Sequence, residues 1–173
     1  MTDEQTYADR AAFLLSQVGA HTKRAFVAAL VPLDLHPGHY KALEELDRSD
    51  GATQQEIADR LGVHRGVMVG LIDDLETRHL VERRRHPTDR RANALHLTAS
   101  GRKQLGRARR VAERLDAEML APLDPGEREQ LRALLRRVAD SAGLTVGLHP
   151  DLAGEACAPR ATTAHPRTSE RNA

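Results

Sequence analysis

Tryptophan is absent from this 173-residue chain, which has only two tyrosines and two phenylalanines. Its core therefore has to be built from Leu, Val, Ile and Ala. Cysteine is nearly absent too. The single Cys157 cannot close an internal disulfide and offers no thiolate metal site, so it reads as an incidental thiol. Long apolar runs are missing: the longest clean one, Ala25 to Val31, falls far short of the roughly 18 residues a membrane span requires. The first ten residues, MTDEQTYADR, are acidic and polar, without the basic-then-apolar pattern of a secretion signal. The expectation is a cytoplasmic protein with no membrane partner. The motifs of common catalysts are also missing, whether G-x-S-x-G, a Walker-type loop or H-E-x-x-H, which argues against an enzyme. No cofactor is expected.

The charge is unevenly placed. The net formal charge is only +1, but residues 52–110 hold 13 basic against 7 acidic side chains, and both flanking thirds are net acidic. Arginine dominates throughout, 23 against 3 lysines, which a compositional bias in the coding sequence would produce. Such a bias does not explain why the excess sits in the middle. A localised basic surface is the footprint of a polyanionic partner.

The middle third is also where the pattern is clearest. In His64–Thr98, Met68, Leu71, Ile72 and Leu75 fall at i, i+3, i+4 and i+7, the apolar stripe of a helix facing a core. The chain turns at Arg78-His79 and changes period. Leu80-Val81 open one strand, and Leu95 and Leu97 mark a second. Between them runs R-R-R-H-P-T-D-R-R, with turn chemistry at Pro87-Thr88-Asp89. Just upstream, Thr53-Gln-Gln-Glu56 is a capping-box signature, and Gly62 stands where a left-handed residue would end that short helix. Short helix, glycine turn, second helix and cationic hairpin make a winged helix-turn-helix, whose partner is double-stranded DNA.

Longer helices flank this unit. Residues 6–31 carry one, ended by Pro32, and Tyr40–Leu46 carry a shorter one. Thr98 caps a helix running to about Leu120. Asp124-Pro125-Gly126-Glu127 starts another, with Leu131, Leu134, Leu135 and Val138 on one face. These stripes exceed what a small wing domain covers, so a second copy of the chain is expected to cover them. From about His149 the composition turns to Ala, Pro, Thr and Arg without periodicity, a disordered pattern. The expected fold is mainly α (α+β). Its division is an N-terminal dimerisation helix (1–35), the winged helix-turn-helix (36–97), C-terminal dimerisation helices (98–148) and a disordered tail (149–173).

Over residues 10–143 the chain resembles the MarR (multiple antibiotic resistance regulator) family of bacterial transcription factors. The resemblance rests on T-Q-Q-E-I-A-D-R-L-G-V, on L-I-D-D-L-E-T-R-H-L-V-E-R, and above all on D-R-R-A-N-A-L-H-L-T-A-S-G from Asp89 to Gly101. It implies a homodimer whose first helix and last two helices interleave, recognising a pseudo-palindromic operator, usually for repression. It further implies release by a small, commonly aromatic or phenolic, ligand, so a small aromatic or acidic effector is expected. Arg91 matches the wing-tip position that enters the minor groove, and Asp89 would orient the tip. Two features depart from the pattern. The outward face of the second helix shows Gly66, Val69, Gly70, Asp73 and Thr77, where family members usually carry Ser, Thr or Arg. His79 stands at the usual turn glycine.

The residues expected at the DNA are thus Arg65, Gly66, Val67, Val69 and Gly70 from the helix, and Arg85, Asp89, Arg90 and Arg91 from the wing. Arg83, Arg84 and Arg85 share a strand, so alternation turns some of them away, towards acids such as Glu82. His21, Arg24 and His39, polar groups near an apolar helix junction, are the candidates for an effector. His21, His36 and His39 invite a metal reading that no neighbouring motif completes, so no metal is expected. The alternatives are a metal-responsive regulator and a winged helix that docks another protein.

Overall fold

The computed structural model describes residues 7–88 and 92–144. The expected tail and the wing-tip residues Asp89, Arg90 and Arg91 lie outside them. Six helices and one hairpin follow in the order α1 (Ala11–Leu30), α2 (Pro37–Arg48), α3 (Gln54–Leu61), α4 (Arg65–Thr77), β1 (Val81–Arg85), β2 (Asn93–Leu97), α5 (Ala99–Met119) and α6 (Pro125–Ser141). This is the mainly helical winged helix-turn-helix expected.

Local chemistry sets the boundaries. α1 begins five residues later than the apolar pattern suggests, because Tyr7–Asp9 forms a separate 3-10 turn and Arg10 is already extended. α2 begins three residues earlier than expected. Pro37 occupies its first turn, where a missing N–H costs nothing. His36 caps it, accepting from the Gly38 N–H at 3.0 Å. At α3, the Thr53 hydroxyl accepts from the Glu56 N–H while the Glu56 carboxylate accepts from the Thr53 N–H at 2.7 Å. The Thr53 N–H, and after it the Thr53 hydroxyl, donate to the Glu56 carboxylate and hold it below its usual pKa. Gly62 ends α3 at φ 60°, and His79 takes φ 55° after α4. Asp124 and Glu127 form the capping box of α6.

β1 and β2 pair antiparallel, Val81 opposite Leu97 and Arg85 opposite Asn93. Residues 51–53 add a short third rail: the Gly51 N–H donates to Leu95 O, and the Leu95 N–H to Ala52 O, both at 2.9 Å. The core is aliphatic. Leu30, Leu43, Leu46, Ile57, Met68, Ile72, Leu75, Leu95 and Leu105 are fully buried together. Phe26 and Tyr40 meet edge-on at its margin, ring centroids 5.5 Å apart.

The flanking helices are different. Only Leu30 of α1 is buried, and no residue of α6 is. Leu14, Leu15 and Val18 on α1, and Leu134, Leu135 and Val138 on α6, are all exposed. An open groove on α6 is lined by Leu134, Arg137, Val138, Ser141 and Ala142. No helix among the described residues is long and apolar enough to cross a membrane.

Candidate nucleic-acid interface

α4 presents two unlike faces. Met68, Leu71, Ile72 and Leu75 point into the core, while Arg65, Gly66, Val69, Gly70, Asp73 and Thr77 face solvent. Val67, expected among the DNA contacts, is half-buried and packs against the core. His64 caps the helix: its Nδ1 accepts from the Gly66 N–H at 3.1 Å, leaving Arg65 at the exposed first turn. A Cβ at Gly70 would meet nothing within 4 Å, and one at Gly66 would meet only the His64 ring, at 3.3 Å. Neither glycine is demanded by packing, nor by backbone conformation, since both sit within the helix. Gly70, in the helix interior, costs about 1 kcal/mol relative to alanine.

Along β1 the side chains alternate as the pleat requires. Val81, Arg83 and Arg85 share one face, with Val81 buried. On the other, Arg84 pairs with Glu82 at 2.5 Å. Arg83 is turned to α4, where it pairs with Asp73 at 2.6 Å and with Glu76. Of the three strand arginines, Arg85 is the exposed one on the α4 side. The His86 N–H donates to Ala92 O at 3.2 Å and closes the base of the wing. The structure thus sets Arg65, Gly66, Val69 and Gly70 on one exposed helix face with Arg85 on the adjoining strand. Such a face can approach a polyanion closely and offers few donors of its own to base edges.

The three effector candidates are not brought together. His21 and Arg24 are exposed on α1, whereas His39 is only 2% exposed, between α2 and α4. Both His39 nitrogens are engaged: Nδ1 accepts from the His36 N–H at 3.4 Å, and Nε2 donates to Asp74 Oδ2 at 2.8 Å. Burial holds its pKa down to about 3, with the neighbouring His36 adding to the effect and Asp74 opposing it. The ring is therefore neutral near pH 7, and its contact with Asp74 is a hydrogen bond to a carboxylate. Asp74 also pairs with Arg78 at 2.7 Å, and Arg78 reaches Asp34 at 2.8 Å. This network ties α2 and the turn before it to the end of α4. It was not legible beforehand, because its members lie up to 44 residues apart. His36 and His39 stack with ring centroids 3.5 Å apart, as parts of a helix cap. Among the described residues, no three His, Cys, Asp or Glu side chains gather as a metal site.

A second tie missed in the sequence joins the wing domain to α5. Arg109 donates to Glu44 through two nitrogens, at 2.9 and 3.1 Å, and to Asp47 at 2.8 Å. The hydrogen bonds from Arg109 hold the Glu44 carboxyl below its ordinary pKa. Burial, helped by the hydrogen bond to Glu44, pushes the Tyr40 hydroxyl up to about 12.

Comparison with known proteins gives a consistent picture. The sequence profile of the MarR family matches residues 33–92. A candidate transcriptional regulatory protein for the hcr operon of Thauera aromatica is 30% identical over 133 residues, 72% of this chain and 80% of that protein. The transcriptional repressor CouR bound to a 23-mer DNA duplex superimposes with TM-score 0.67 at 32% identity, covering 76% of this chain and 94% of that one. CouR from Rhodococcus jostii RHA1 has also been solved with p-coumaroyl-CoA (TM-score 0.65, 31% identity, 79% and 96% covered). The Mycobacterium tuberculosis protein Rv2887, solved with salicylic acid, gives 0.60 at 29% identity, with 75% and 96% covered.

Proposed function

The chain belongs to the MarR family of DNA-binding transcriptional regulators, and from that premise we propose that it is a homodimeric repressor of a pseudo-palindromic operator. The observation that carries this reading is the exposed face of α4, Arg65, Gly66, Val69 and Gly70, beside Arg85 on the wing strand. Arg90 and Arg91 extend the wing in sequence, and Asp89 would orient its tip. The helix enters the major groove while the wing arginines reach the flanking minor groove. Catalysis has no part in this role, and the protein works in the cytoplasm, where its operator is.

The dimer reading rests on the apolar faces of α1 and α6. Leu14, Leu15, Val18, Leu134, Leu135 and Val138 are each at least 40% exposed, a surface that a monomer in water seldom leaves open. Residues 1–35 and 98–148 would cover one another across a two-fold axis and set the half-sites about one helical turn apart. The effector reading is an aromatic acid or its thioester, by likeness to the relatives solved with salicylic acid and p-coumaroyl-CoA. His21 and Arg24, exposed on α1, would meet its acidic group. His39 would contribute only by giving up its bond to Asp74.

The test is a fluorescence-anisotropy titration on duplex DNA at several salt concentrations, with sedimentation of the same sample. Strong salt-sensitive binding by a dimer is expected. A monodisperse monomer at micromolar concentration overturns the dimer. Salt-insensitive or absent binding overturns the DNA role and leaves a protein-docking winged helix.

A further inference from the structure

Arg83 lies in the middle of β1, opposite Leu95 of β2. Its guanidinium does not point along the wing. Nη2 donates to Asp73 Oδ1 at 2.6 Å and reaches Gln54 Oε1 at 3.4 Å, while Nη1 donates to Glu76 Oε2. Asp73 and Glu76 are one turn apart on α4, and Gln54 is the first residue of α3. One side chain therefore joins the wing strand to both helices of the helix-turn-helix. It is 22% exposed, against 62% for the adjacent Arg84.

We infer that Arg83 is a positioning residue for duplex recognition: clamped by Asp73, Glu76 and Gln54, it fixes the wing strand against α4 and cancels two carboxylates on the surface that meets the phosphates. The inference rests on the DNA-binding reading above. Three observations carry it. Asp73 is on the outward face of α4 with Gly66, Val69 and Gly70, and its side chain is 57% exposed. Left unpaired there, it and Glu76 would oppose the approach of a polyanion, because like charges brought together across an interface weaken binding. Second, both terminal nitrogens of Arg83 already hold protein partners without DNA. Swinging to a phosphate would undo the clamp and expose both acids. Third, Arg85 follows two residues later on the same face of the strand, roughly 7 Å further towards the wing tip. The direction in which Arg83 holds the strand is thus inherited by the first exposed wing arginine.

A clamp and a phosphate contact give opposite signatures. The full-length protein, Arg83→Gln, the double variant Asp73→Asn/Glu76→Gln and the triple variant combining all three would be titrated on one duplex across a salt series. Hydrogen exchange of the DNA-free proteins would be followed in parallel. For a clamp, Arg83→Gln loses about tenfold or more in affinity, equivalent to about 1.4 kcal/mol. The triple variant recovers the part of that loss that came from the unmasked acids, its β1–β2 amides still exchange as fast as those of Arg83→Gln, and its salt slope stays that of the wild type. Exchange at the β1–β2 amides rises in Arg83→Gln while that of α5 is unchanged.

The inference is overturned if Arg83→Gln lowers the salt slope by about 0.9, the signature of one lost phosphate contact, and the triple variant recovers nothing. It is also overturned if Arg83→Gln matches the wild type in affinity and exchange. If the wild type itself shows no salt-dependent duplex binding, the DNA reading fails on its own. The exchange measurement then still decides whether Arg83 holds the wing.

Discussion

The carbonyl oxygen of Leu80 lies 2.0 Å from where a Cβ on Gly101 would stand. Helix α5 therefore starts hard against the entry to the wing. Thr98 fixes the approach. Its N–H donates to Leu80 O at 3.1 Å, its hydroxyl to His79 O at 2.7 Å, and it caps α5 by accepting from the Gly101 N–H at 2.9 Å. No side chain fits there without moving backbone. Gly101→Ala is expected to destabilise the protein by about 3 kcal/mol or more, at the upper end of overpacking costs. Urea denaturation of the two proteins measures it, and a loss below about 0.5 kcal/mol, the scale of a surface change, would show that α5 slides freely on the wing.

His39 gives the fold an acid limit. Its folded pKa, about 3, lies below the 6.5 of an ordinary histidine, with burial the main cause. The unfolded chain therefore binds the proton more readily, and stability falls as pH drops from about 6.5 towards 3. Near pH 5 the loss from this group comes to about 2 kcal/mol, at about 1.4 kcal/mol per unit. His36, lowered in the same direction by burial, adds to it. His39→Gln cannot take up the proton. Its melting temperature should change less than that of the wild type between pH 7.5 and about pH 5. Parallel curves for the two proteins would sink the account.

What was readable in the chain was local. The Thr53/Glu56 box, the Gly62 stop, the Thr98 cap and the α6 start at Asp124 each depend on residues within a few positions of one another, and each is found as expected. The switch from helix to hairpin after Thr77 was equally legible, because period and turn chemistry change together. The start of α2 was not, since His36 is an uncommon cap and the apolar pattern begins only at Tyr40. The partners of Arg83, Arg109 and His39 were out of reach for another reason. Alternation said that some strand arginines turn inward; which acids they meet depends on how helices cross, and no periodicity encodes that.

Gly70 separates stability from recognition. Alanine there gains helix propensity, about 1 kcal/mol, and its Cβ meets nothing within 4 Å. Gly70→Ala should therefore raise the melting temperature. If the bare helix backbone lies close to base edges, the same methyl should weaken operator binding. Calorimetry and anisotropy on one preparation read both quantities. A more stable protein with unchanged affinity would show that nothing approaches Gly70 closely.

The wing should carry more of the affinity than α4 does. Gly66, Val69 and Gly70 have no side-chain donors, and the carboxylate of Asp73 is held by Arg83. What α4 can give is close backbone approach, apolar contact with thymine methyls and a phosphate or base contact from Arg65. Only Arg65 among these could match the ~1–3 kcal/mol discrimination of a bidentate side-chain contact. The wing supplies Arg85, exposed at the end of β1, and beyond it Arg90 and Arg91. Arginine is drawn to the narrow, strongly negative minor groove of A-tracts, so the operator should be rich in A·T pairs where the wing tips land. Arg91→Ala is expected to remove most binding at moderate salt, and Arg85→Ala to lower the salt slope by about 0.9. Val69→Ala should mainly relax base preference. Titrating all three on the operator, and on a version with G·C pairs under the wings, separates the contributions. Should Arg91→Ala bind like the wild type while Val69→Ala or Arg65→Ala loses binding, α4 is the main reader and the wing only steadies it.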